Sequence, residues 1–315
     1  MLARIVTRTG IFAATVFVGS LVIFVLLAVL PGDPAQVALG THATPQAIAQ
    51  MRAHMGVDRP LIAQYGNWMG GLLSGNLGTS SLTGADIGQQ IAGRLTVTLT
   101  LIALSLVATL AIALPIGSFA ALDHRGRIGA VVGALSQVGV AVPSFIAAIV
   151  LINIFAVQLR LVPSGGWTSP TTDFGGFITE AILPVISIGL VQGALLSRYV
   201  RSAALDVLRE DYMRTAWAKG FGRTRAFLRH GARNSAIPVV TVLGLQIASL
   251  LIDTIIVERV FVIPGLGSLL FDSVSNRDLT MVRDIVLLLV VAILALNLII
   301  DAIYIAIDPR LKGAS

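Results

Sequence analysis

The sequence predicts an all-α integral membrane protein with six transmembrane helices. Of its 315 residues, 56% are hydrophobic and only 12% are charged, and the mean hydropathy is +0.89. Soluble domains carry about 25% charged residues, so this composition excludes an ordinary soluble globule and a disordered chain. The apolar residues also form runs as long as the roughly 20 residues that a helix needs to cross the hydrocarbon core.

Six charge-poor runs define the predicted spans. They cover residues 11–30, 95–122, 128–159, 181–197, 234–252 and 285–300, and the last stays largely apolar to residue 307. The first run is longer than the apolar region of a cleavable signal peptide, so we interpret it as a retained span. We divide the chain into residues 1–94, the first helix with a long external loop, and residues 95–315, a core with the other five spans.

The distribution of basic residues predicts the orientation. With the amino terminus inside, 15 of the 22 Lys and Arg residues fall in cytoplasmic segments. Cytoplasmic loops are enriched in these residues, so we expect both termini in the cytoplasm. The chain has no cysteine, which excludes disulfides, cysteine zinc sites and iron–sulfur clusters.

The external loop between the first two spans predicts two short amphipathic helices. Thr44 followed by Pro45 is typical of a helix start, and Gly56 of a helix end. A second helix should begin after Pro60. Its aromatic residues, Tyr65 and Trp68, suit the membrane interface.

The cytoplasmic loop 198–236 is the most informative stretch. It carries nine Lys and Arg residues, and its pattern predicts a helix from Asp211 to Lys219, a turn at Gly220 and a second helix from Thr224 to about Arg233. A helix, a glycine break and a helix can dock into a soluble partner. The alternative is a basic loop that only anchors to lipid headgroups.

The order of this loop resembles the cytoplasmic "EAA" loop of ABC importer permeases, in the dipeptide, oligopeptide and nickel branch. The similar residues are Asp211-Tyr212-Met213-Arg214-Thr215-Ala216-Trp217-Ala218-Lys219-Gly220, then Arg229-His230, Arg233-Asn234 and Ile237-Pro238. Further similar stretches run along nearly the whole chain: Pro31-Gly32-Asp33-Pro34, Leu61-Ile62-Ala63-Gln64-Tyr65, Val142-Pro143-Ser144-Phe145, Val257 to Gly267, and Asn297 to Arg310. Arg214-Thr215-Ala216 stands where the general family has Glu-Ala-Ala, a departure that the peptide branch shares.

This resemblance implies a type I ABC importer permease fold in a bacterial or archaeal plasma membrane. It implies a peptide substrate and four kinds of partner: a second homologous permease subunit, two ATPase subunits or one fused ATPase chain, an external solute-binding protein, and the lipid bilayer. Nickel chelates, haem or oligosaccharides remain alternative solutes. Nucleic acid is not expected. The chain contains no GxxxxGK[ST] phosphate loop, so we expect no enzymatic activity and no bound cofactor, with ATP and Mg²⁺ used by the ATPase subunits.

The resemblance also suggests roles for two segments. The coupling to the ATPase would use Asp211, Arg214, Thr215, Ala216, Trp217, Lys219 and Gly220. An outer gate would use Glu258, Phe261, Ile263, Pro264, Gly265, Leu266 and Gly267, although an exposed charge is the simpler interpretation of Glu258. For Gly220, the end of a helix without any docking role remains an alternative.

Two polar stripes lie within the predicted spans. Gln246, Ser249 and Asp253 share one face of the fifth span, where a role in the solute path and a role in helix packing are both open. Asn297, Asp301, Tyr304 and Asp308 share one face of the sixth, where packing is favoured over solute contact. A channel or ion-driven transporter is the rival class, but it would be expected to carry paired buried charges or a filter motif. The four histidines show no metal-site spacing.

Overall fold

A computed structural model describes residues 2–29, 34–39, 43–124 and 126–307. Within these ranges the chain forms thirteen α-helices, two of which continue into π-helical turns, and no strand longer than an isolated bridge. The helices are α1 Leu2–Val29, α2 Pro34–Leu39, α3 Pro45–Met55, α4 Leu61–Leu73, α5 Ile87–Leu122, α6 Arg127–Ala141, α7 Ser144–Leu151, α8 Phe174–Leu208, α9 Asp211–Ala218, α10 Arg223–Ala226, α11 Ala232–Val260, α12 Leu266–Ser275 and α13 Leu279–Ile307. The helical membrane fold is thereby confirmed.

Five helical segments are long and apolar enough to cross a membrane. They are Thr7–Val29, Ile87–Leu122, Phe174–Leu208, Arg223–Val260 and Leu279–Ile300. Each contains most or all of a predicted span and extends beyond it, because helical hydrogen bonding continues through the charged residues that bounded the predicted spans. The third predicted span, residues 128–159, is the exception.

Pro143 divides this third span into two helices. Helix α6 ends before Val142, which has an extended backbone, and α7 begins after Pro143. Proline has no N–H group and disfavours the helical conformation in the residue before it. Helix α7 and the π-helical turns Ile152–Gln158 then form a short apolar segment, Ser144–Gln158. Pro115, Pro184 and Pro238 lie inside helices that continue past them.

The chain forms two compact units. Unit 1 combines residues 1–97 with residues 265–315, and unit 2 covers residues 98–264. Unit 1 therefore contains α1 to α4, the start of α5, α12 and α13, whereas unit 2 contains the rest of α5 and α6 to α11. The predicted division at residue 94 is a separate hypothesis, drawn from the sequence alone.

In unit 1, helix α3 has the ends that the sequence predicts. The Thr44 hydroxyl accepts a hydrogen bond from the Ala47 N–H at 3.2 Å, which satisfies one of the free amide groups of the first turn of α3. Gly56 ends the helix with φ of +70°. A left-handed conformation costs glycine little, because it has no Cβ.

Helix α4 packs into unit 1 through its aromatic residues, Tyr65 and Trp68. Their position at the membrane interface stays a prediction. Trp68 is buried with Phe24 and Leu287, and its indole N–H donates to Asp284 Oδ1 at 2.7 Å. The guanidinium carbon of Arg283 lies 4.4 Å from the centre of the Trp68 ring. The Tyr65 and Ser20 hydroxyls are 2.8 Å apart. These contacts attach α4 to α1 and α13.

A second buried carboxylate stabilises the same unit. Asp278 accepts hydrogen bonds from the Ser80 hydroxyl and from the N–H groups of Ser81 and Met281. Buried carboxylates are stable only when such donors replace water. The loop before α5 is thus fixed to the start of α13.

In unit 2, small residues allow α8 to approach α5 and α6 closely. A Cβ on Gly189 would lie 2.8 Å from Ala108 Cβ, and one on Gly193 would lie 2.9 Å from Ile112 Cγ2. A Cβ on Gly139 of α6 would lie 2.5 Å from Ala194 Cβ. Carbon atoms do not approach this closely, so these glycines set the distance between the helices. Such contacts are typical of membrane helices, which associate through backbone packing.

We predict that Gly193→Val destabilises the protein. The added side chain must displace Ile112, and overpacking of this kind costs about 1–3 kcal/mol. Thermal unfolding of the detergent-solubilised protein would measure the loss. Gly93→Val is the matched control, because nothing lies within 4 Å of a Cβ at Gly93. Equal melting temperatures for the two variants would contradict the prediction.

Candidate functional site

A polar cluster joins three helices in the interior of unit 2. Asp253 of α11 accepts two hydrogen bonds, from the Ser144 hydroxyl to Oδ1 and from the Gln192 amide nitrogen to Oδ2, both at 2.7 Å. Ser144 is the first residue of α7 and Gln192 lies in the middle of α8. We call Ser144, Gln192 and Asp253 the polar cluster. It is the only place among the described residues where one carboxylate joins α7, α8 and α11.

The members of the predicted stripe on α11 differ in how deeply they are buried. Gln246 is buried, and neither its amide nitrogen nor its amide oxygen has a hydrogen-bond partner among the described residues. Ser249 is exposed. Asp253 itself is half-buried. The stripe therefore runs from a buried amide to a partly open carboxylate.

Ser144 and Gln192 are functional candidates that the sequence pattern did not reveal. Both carried a usable signal, because a polar side chain within a charge-free span normally has a partner in a neighbouring helix. Their spacing could not show which partner, since Ser144 and Asp253 are 109 residues apart.

Helix α9 is attached to the rest of unit 2 by its inner face. Met213 and Ala216 are buried in an apolar cluster with Ala204 and Leu208 of α8 and Phe227, beyond α10. The expectation that Ala216 contacts a partner is therefore corrected, because Ala216, like Met213, fills the interior of this chain. The side chains that α9 leaves exposed are those of Asp211, Tyr212, Arg214, Thr215 and Ala218, followed by the exposed Lys219.

Hydrogen bonds and the turn at Gly220 complete this surface. The Asn234 amide nitrogen donates to the Tyr212 hydroxyl at 2.9 Å, which connects α9 to the start of α11. Gly220 has φ of +86°, as predicted for a residue that ends the helix. Trp217 is partly buried, and the Arg223 guanidinium lies 5.8 Å from its ring centre. Asp211 does not cap the helix; it forms a 3.5 Å ion pair with Arg214.

The helix that follows Gly220 continues without a break into the fifth predicted span. Helix α10, the π-helical turns Phe227–Gly231 and α11 form one segment, Arg223–Val260, of 38 residues. Helix α9 thus packs directly against the first turns of the helical segment that carries Asp253.

Helix α11 ends in a strained turn at the predicted gate. The Ile263 N–H donates to the Glu258 carbonyl at 2.8 Å, and the Val262 N–H to the Arg259 carbonyl at 3.4 Å. This is the hydrogen-bond pattern of a Schellman motif, which normally places glycine in the left-handed position. Here that position is Val262, with φ of +54°. A β-branched residue in this conformation is a true outlier and is typical of functional segments.

Burial around this turn corrects the interpretation of Glu258 as an exposed charge. Glu258 is fully buried, and its Oε1 accepts a hydrogen bond from the Thr98 hydroxyl at 2.6 Å. Phe261 and Ile263 are also fully buried, whereas Val262 is 76% exposed. One apolar side chain therefore projects from an otherwise buried turn.

The loop before α8 holds the turn from the other side. The Gly166 N–H donates to the Phe261 carbonyl at 2.9 Å, and any Cβ on Gly165 would collide with that same carbonyl. Glu180 of α8 accepts hydrogen bonds from the N–H and the hydroxyl of Thr168. The loop is thus fixed at one end to α8 and at the other to the turn.

The remaining predicted gate residues belong partly to unit 1. Pro264 is half-buried at the end of unit 2. In unit 1, Gly265, Leu266 and Gly267 are buried, and Leu266 packs with Ile87, Leu269 and Met281.

The predicted stripe on α13 is described only in part. Asn297 is exposed. Asp301 and Tyr304 lie in α13, but their side chains are outside the described part of the chain, and Asp308 lies outside the described residues. That this stripe packs helices rather than contacts solute therefore stays a prediction.

Unit 2 also contains an apolar cavity of about 420 Å³ between α5, α6 and α8. Ile112, Ile116, Leu190 and Val191 line most of it, with Ser136 and Ser197 at its polar edge. Among the described residues, no group of three or more His, Asp and Glu side chains is placed to hold a metal ion.

Comparison with known proteins identifies the family. Residues 113–313 match the family described as binding-protein-dependent transport system inner membrane component. Residues 1–113 match the N-terminal region of the same type of membrane component. The two matches together cover nearly the whole chain.

Full-length relatives agree with this assignment. The chain is 34% identical over 312 residues to a probable peptide ABC transporter permease of Sinorhizobium fredii, covering 99% of this chain and 98% of the relative. It is 37% identical over 315 residues to the glutathione transport system permease of Salmonella typhimurium and 35% identical over 312 residues to that of Escherichia coli K12, covering 99% of each chain. The chain therefore belongs to the family of binding-protein-dependent transport system inner membrane components, multi-pass permease components of transport complexes that have the type I ABC importer fold.

Proposed function

We propose that this chain is one of two permease subunits of an ATP-driven importer of di- or oligopeptides. An external solute-binding protein delivers the peptide, and ATPase subunits on the cytoplasmic side, which bind ATP and Mg²⁺, drive its passage. The observation that carries this proposal is the arrangement of helix α9. Its outer face is exposed and can contact a partner, while its inner face packs against the membrane helices. Both termini are cytoplasmic, in keeping with the distribution of basic residues.

The relatives support a peptide as the substrate. One is named as a peptide transporter permease and two as glutathione transporter permeases, and glutathione is itself a tripeptide. A peptide has both apolar and polar groups. In unit 2, the apolar cavity could contact the apolar groups and the polar cluster the polar ones.

The attachment of α9 supports a role in coupling to the ATPase. Its buried residues contact α8 and the segment that leads into α11, so a force on α9 reaches both membrane helices. Its exposed residues combine small Ala218 and Thr215 with cationic Arg214 and Lys219. Small and cationic side chains together permit close approach to an acidic groove. A loop that only anchored to lipid would not require this attachment.

The turn after α11 supports a gate on the outer side. A strained, buried turn with one projecting apolar residue, Val262, is held by Gly166. Strain of this kind persists only where surrounding contacts enforce it. We infer that the turn closes the path on the outer side and opens when those contacts are released.

We predict that peptides stimulate ATP hydrolysis by the assembled transporter. The complex, reconstituted in proteoliposomes with its binding protein, would be offered dipeptides, tripeptides, glutathione, a nickel chelate, haem and an oligosaccharide. We expect stimulation and uptake with peptides only. Stimulation by one of the other solutes without stimulation by peptides would replace the peptide assignment with that solute.

We predict that Ala218→Glu uncouples the transporter without unfolding it. The exposed glutamate would repel an acidic partner and widen the contact, so the ATPase should no longer bind and peptide-stimulated hydrolysis should fall at least about tenfold. Co-purification of the ATPase and the hydrolysis rate would measure this. Ala85→Glu, at an exposed site in unit 1, controls for the added charge.

Ala216→Glu should behave differently. It would bury an unpaired charge in the apolar cluster beneath α9, a change that costs several kcal/mol, so the amount of folded permease should fall. Normal coupling in Ala218→Glu would show that α9 is not the docking surface.

We predict that Phe261→Ala opens the outer side. Removing a fully buried phenylalanine costs about 3–5 kcal/mol of packing, which weakens the turn that holds the gate closed. Hydrolysis without peptide should rise several-fold, and a fluorescent peptide should leak from loaded proteoliposomes. Phe271→Ala, at an exposed position of α12, should change neither. A tight membrane and an unchanged basal rate for Phe261→Ala would contradict a gate at this turn.

A further inference from the structure

The polar cluster has hydrogen-bonding capacity that the described residues leave unused. Each Asp253 oxygen accepts one hydrogen bond from a neutral donor, whereas a carboxylate can accept about four. No Lys, Arg or His of the described part of the chain forms an ion pair with Asp253 that would balance its charge. The carboxylate is therefore held in a fixed position with lone pairs to spare.

Gln192 presents a second unused acceptor at the same place. Its amide nitrogen is committed to Asp253, so its orientation is fixed, and its amide oxygen is buried without a partner in the described residues. The Gln192 side chain as a whole is only 5% exposed. A buried acceptor without a donor is unfavourable, so this oxygen indicates a ligand with N–H or O–H donors.

The cluster is open on one side. Asp253 is half-buried, and Ser249, one helical turn earlier on the same face, is exposed. A carboxylate facing lipid is strongly disfavoured, so the open side faces water, a solute or a partner subunit, and the labelling experiment below decides whether it is accessible. Asp253 lies seven residues before the end of α11, about 10 Å along the helix axis from the turn at Val262.

We propose that Ser144, Gln192 and Asp253 form a binding site for a primary ammonium group, which receives the amino-terminal ammonium of a peptide during its passage. The identity of the ligand rests on the proposed function; the cation preference of the site does not. An ammonium carries three N–H donors, which match the open lone pairs of Asp253 and the free oxygen of Gln192. A divalent metal would need more carboxylate or histidine ligands than the described residues bring here.

The cation preference can be tested without transport, because the chain has no cysteine. Ser249→Cys places one thiol beside the site. In the assembled complex, this thiol would be labelled with an ethylammonium and an ethylsulfonate methanethiosulfonate, and each rate would be divided by that of a free thiol. A negative site concentrates cations, so we expect the cationic reagent to react at least about tenfold faster.

The control is the double variant Ser249→Cys with Asp253→Asn, which keeps the shape of the side chain and removes its charge. The preference should fall to about one, as expected when the local charge is absent. An equal rate for both reagents in Ser249→Cys, a preference that survives Asp253→Asn, or a thiol that neither reagent reaches would each overturn the proposal. The last result would mean that a partner subunit or lipid covers the site.

The ligand is tested by uptake of trialanine and of N-acetyl-trialanine, which lacks the ammonium. Asp253→Asn should lower uptake of free trialanine at least about tenfold and change uptake of the acetylated peptide little. The binding protein is the same in both variants, so its own selectivity cancels from the comparison. Asp253→Glu should retain part of the wild-type preference for trialanine over N-acetyl-trialanine. Asp58→Asn, at an exposed loop position, should retain all of this preference.

The labelling and uptake experiments together distinguish a failure of the proposed function from a failure of the proposed ammonium site. If the wild-type complex moves no peptide, the proposed function fails, and the labelling result still decides whether the site binds cations. If labelling shows the preference but Asp253→Asn lowers the uptake of both peptides equally, the assignment of the peptide ammonium is overturned.

Discussion

Close contact between backbones along α8 is the constraint on which unit 2 depends. Lipid chains are as apolar as leucine, so burial of apolar side chains alone does not drive helices together in a membrane. Gly189 and Gly193 let α5 approach α8, and Gly139 lets α6 approach the same helix. The polar cluster depends likewise on the spacing of α8 and α11, since a hydrogen bond of 2.7 Å from Gln192 to Asp253 tolerates little change in helix spacing.

Polar groups inside the helices then determine which helices meet. Buried and half-buried carboxylates among the described residues are joined to donors far away in sequence: Asp253 to Ser144, Glu258 to Thr98, and in unit 1 Asp278 to Ser80 and Asp284 to Trp68. Leaving any one of these carboxylates without its donor would be costly in a low-dielectric interior. Apolar surface therefore supplies the affinity for the membrane, while a few hydrogen bonds supply the specificity of the fold.

Local signals in the sequence predicted what is determined locally. The ends of α3 at Thr44 and Gly56 followed from capping chemistry, and the turn at Gly220 followed from the need for a left-handed residue. Periodicity could also have placed Met213 and Ala216 on the inner face of α9, since they lie three residues apart. The burial of Glu258 and Trp68 could not be predicted, because their partners lie 160 and 216 residues away. Pro143 breaks a helix and Pro115 does not; no local signal separates them, because tertiary contacts decide which proline is accommodated.

The length of α11 has a consequence for the bilayer around the protein. Between Arg233 and Arg259 the helix rises about 39 Å, which exceeds the roughly 30 Å thickness of the hydrocarbon core. Such a helix tilts, or the bilayer thickens around it. Because α11 carries the polar cluster near one end and the α9 contact near the other, a change of tilt shifts the two ends in opposite lateral directions. Lipid chain length is therefore a mechanical variable for this protein, and the thickness of the host membrane sets the resting tilt of α11.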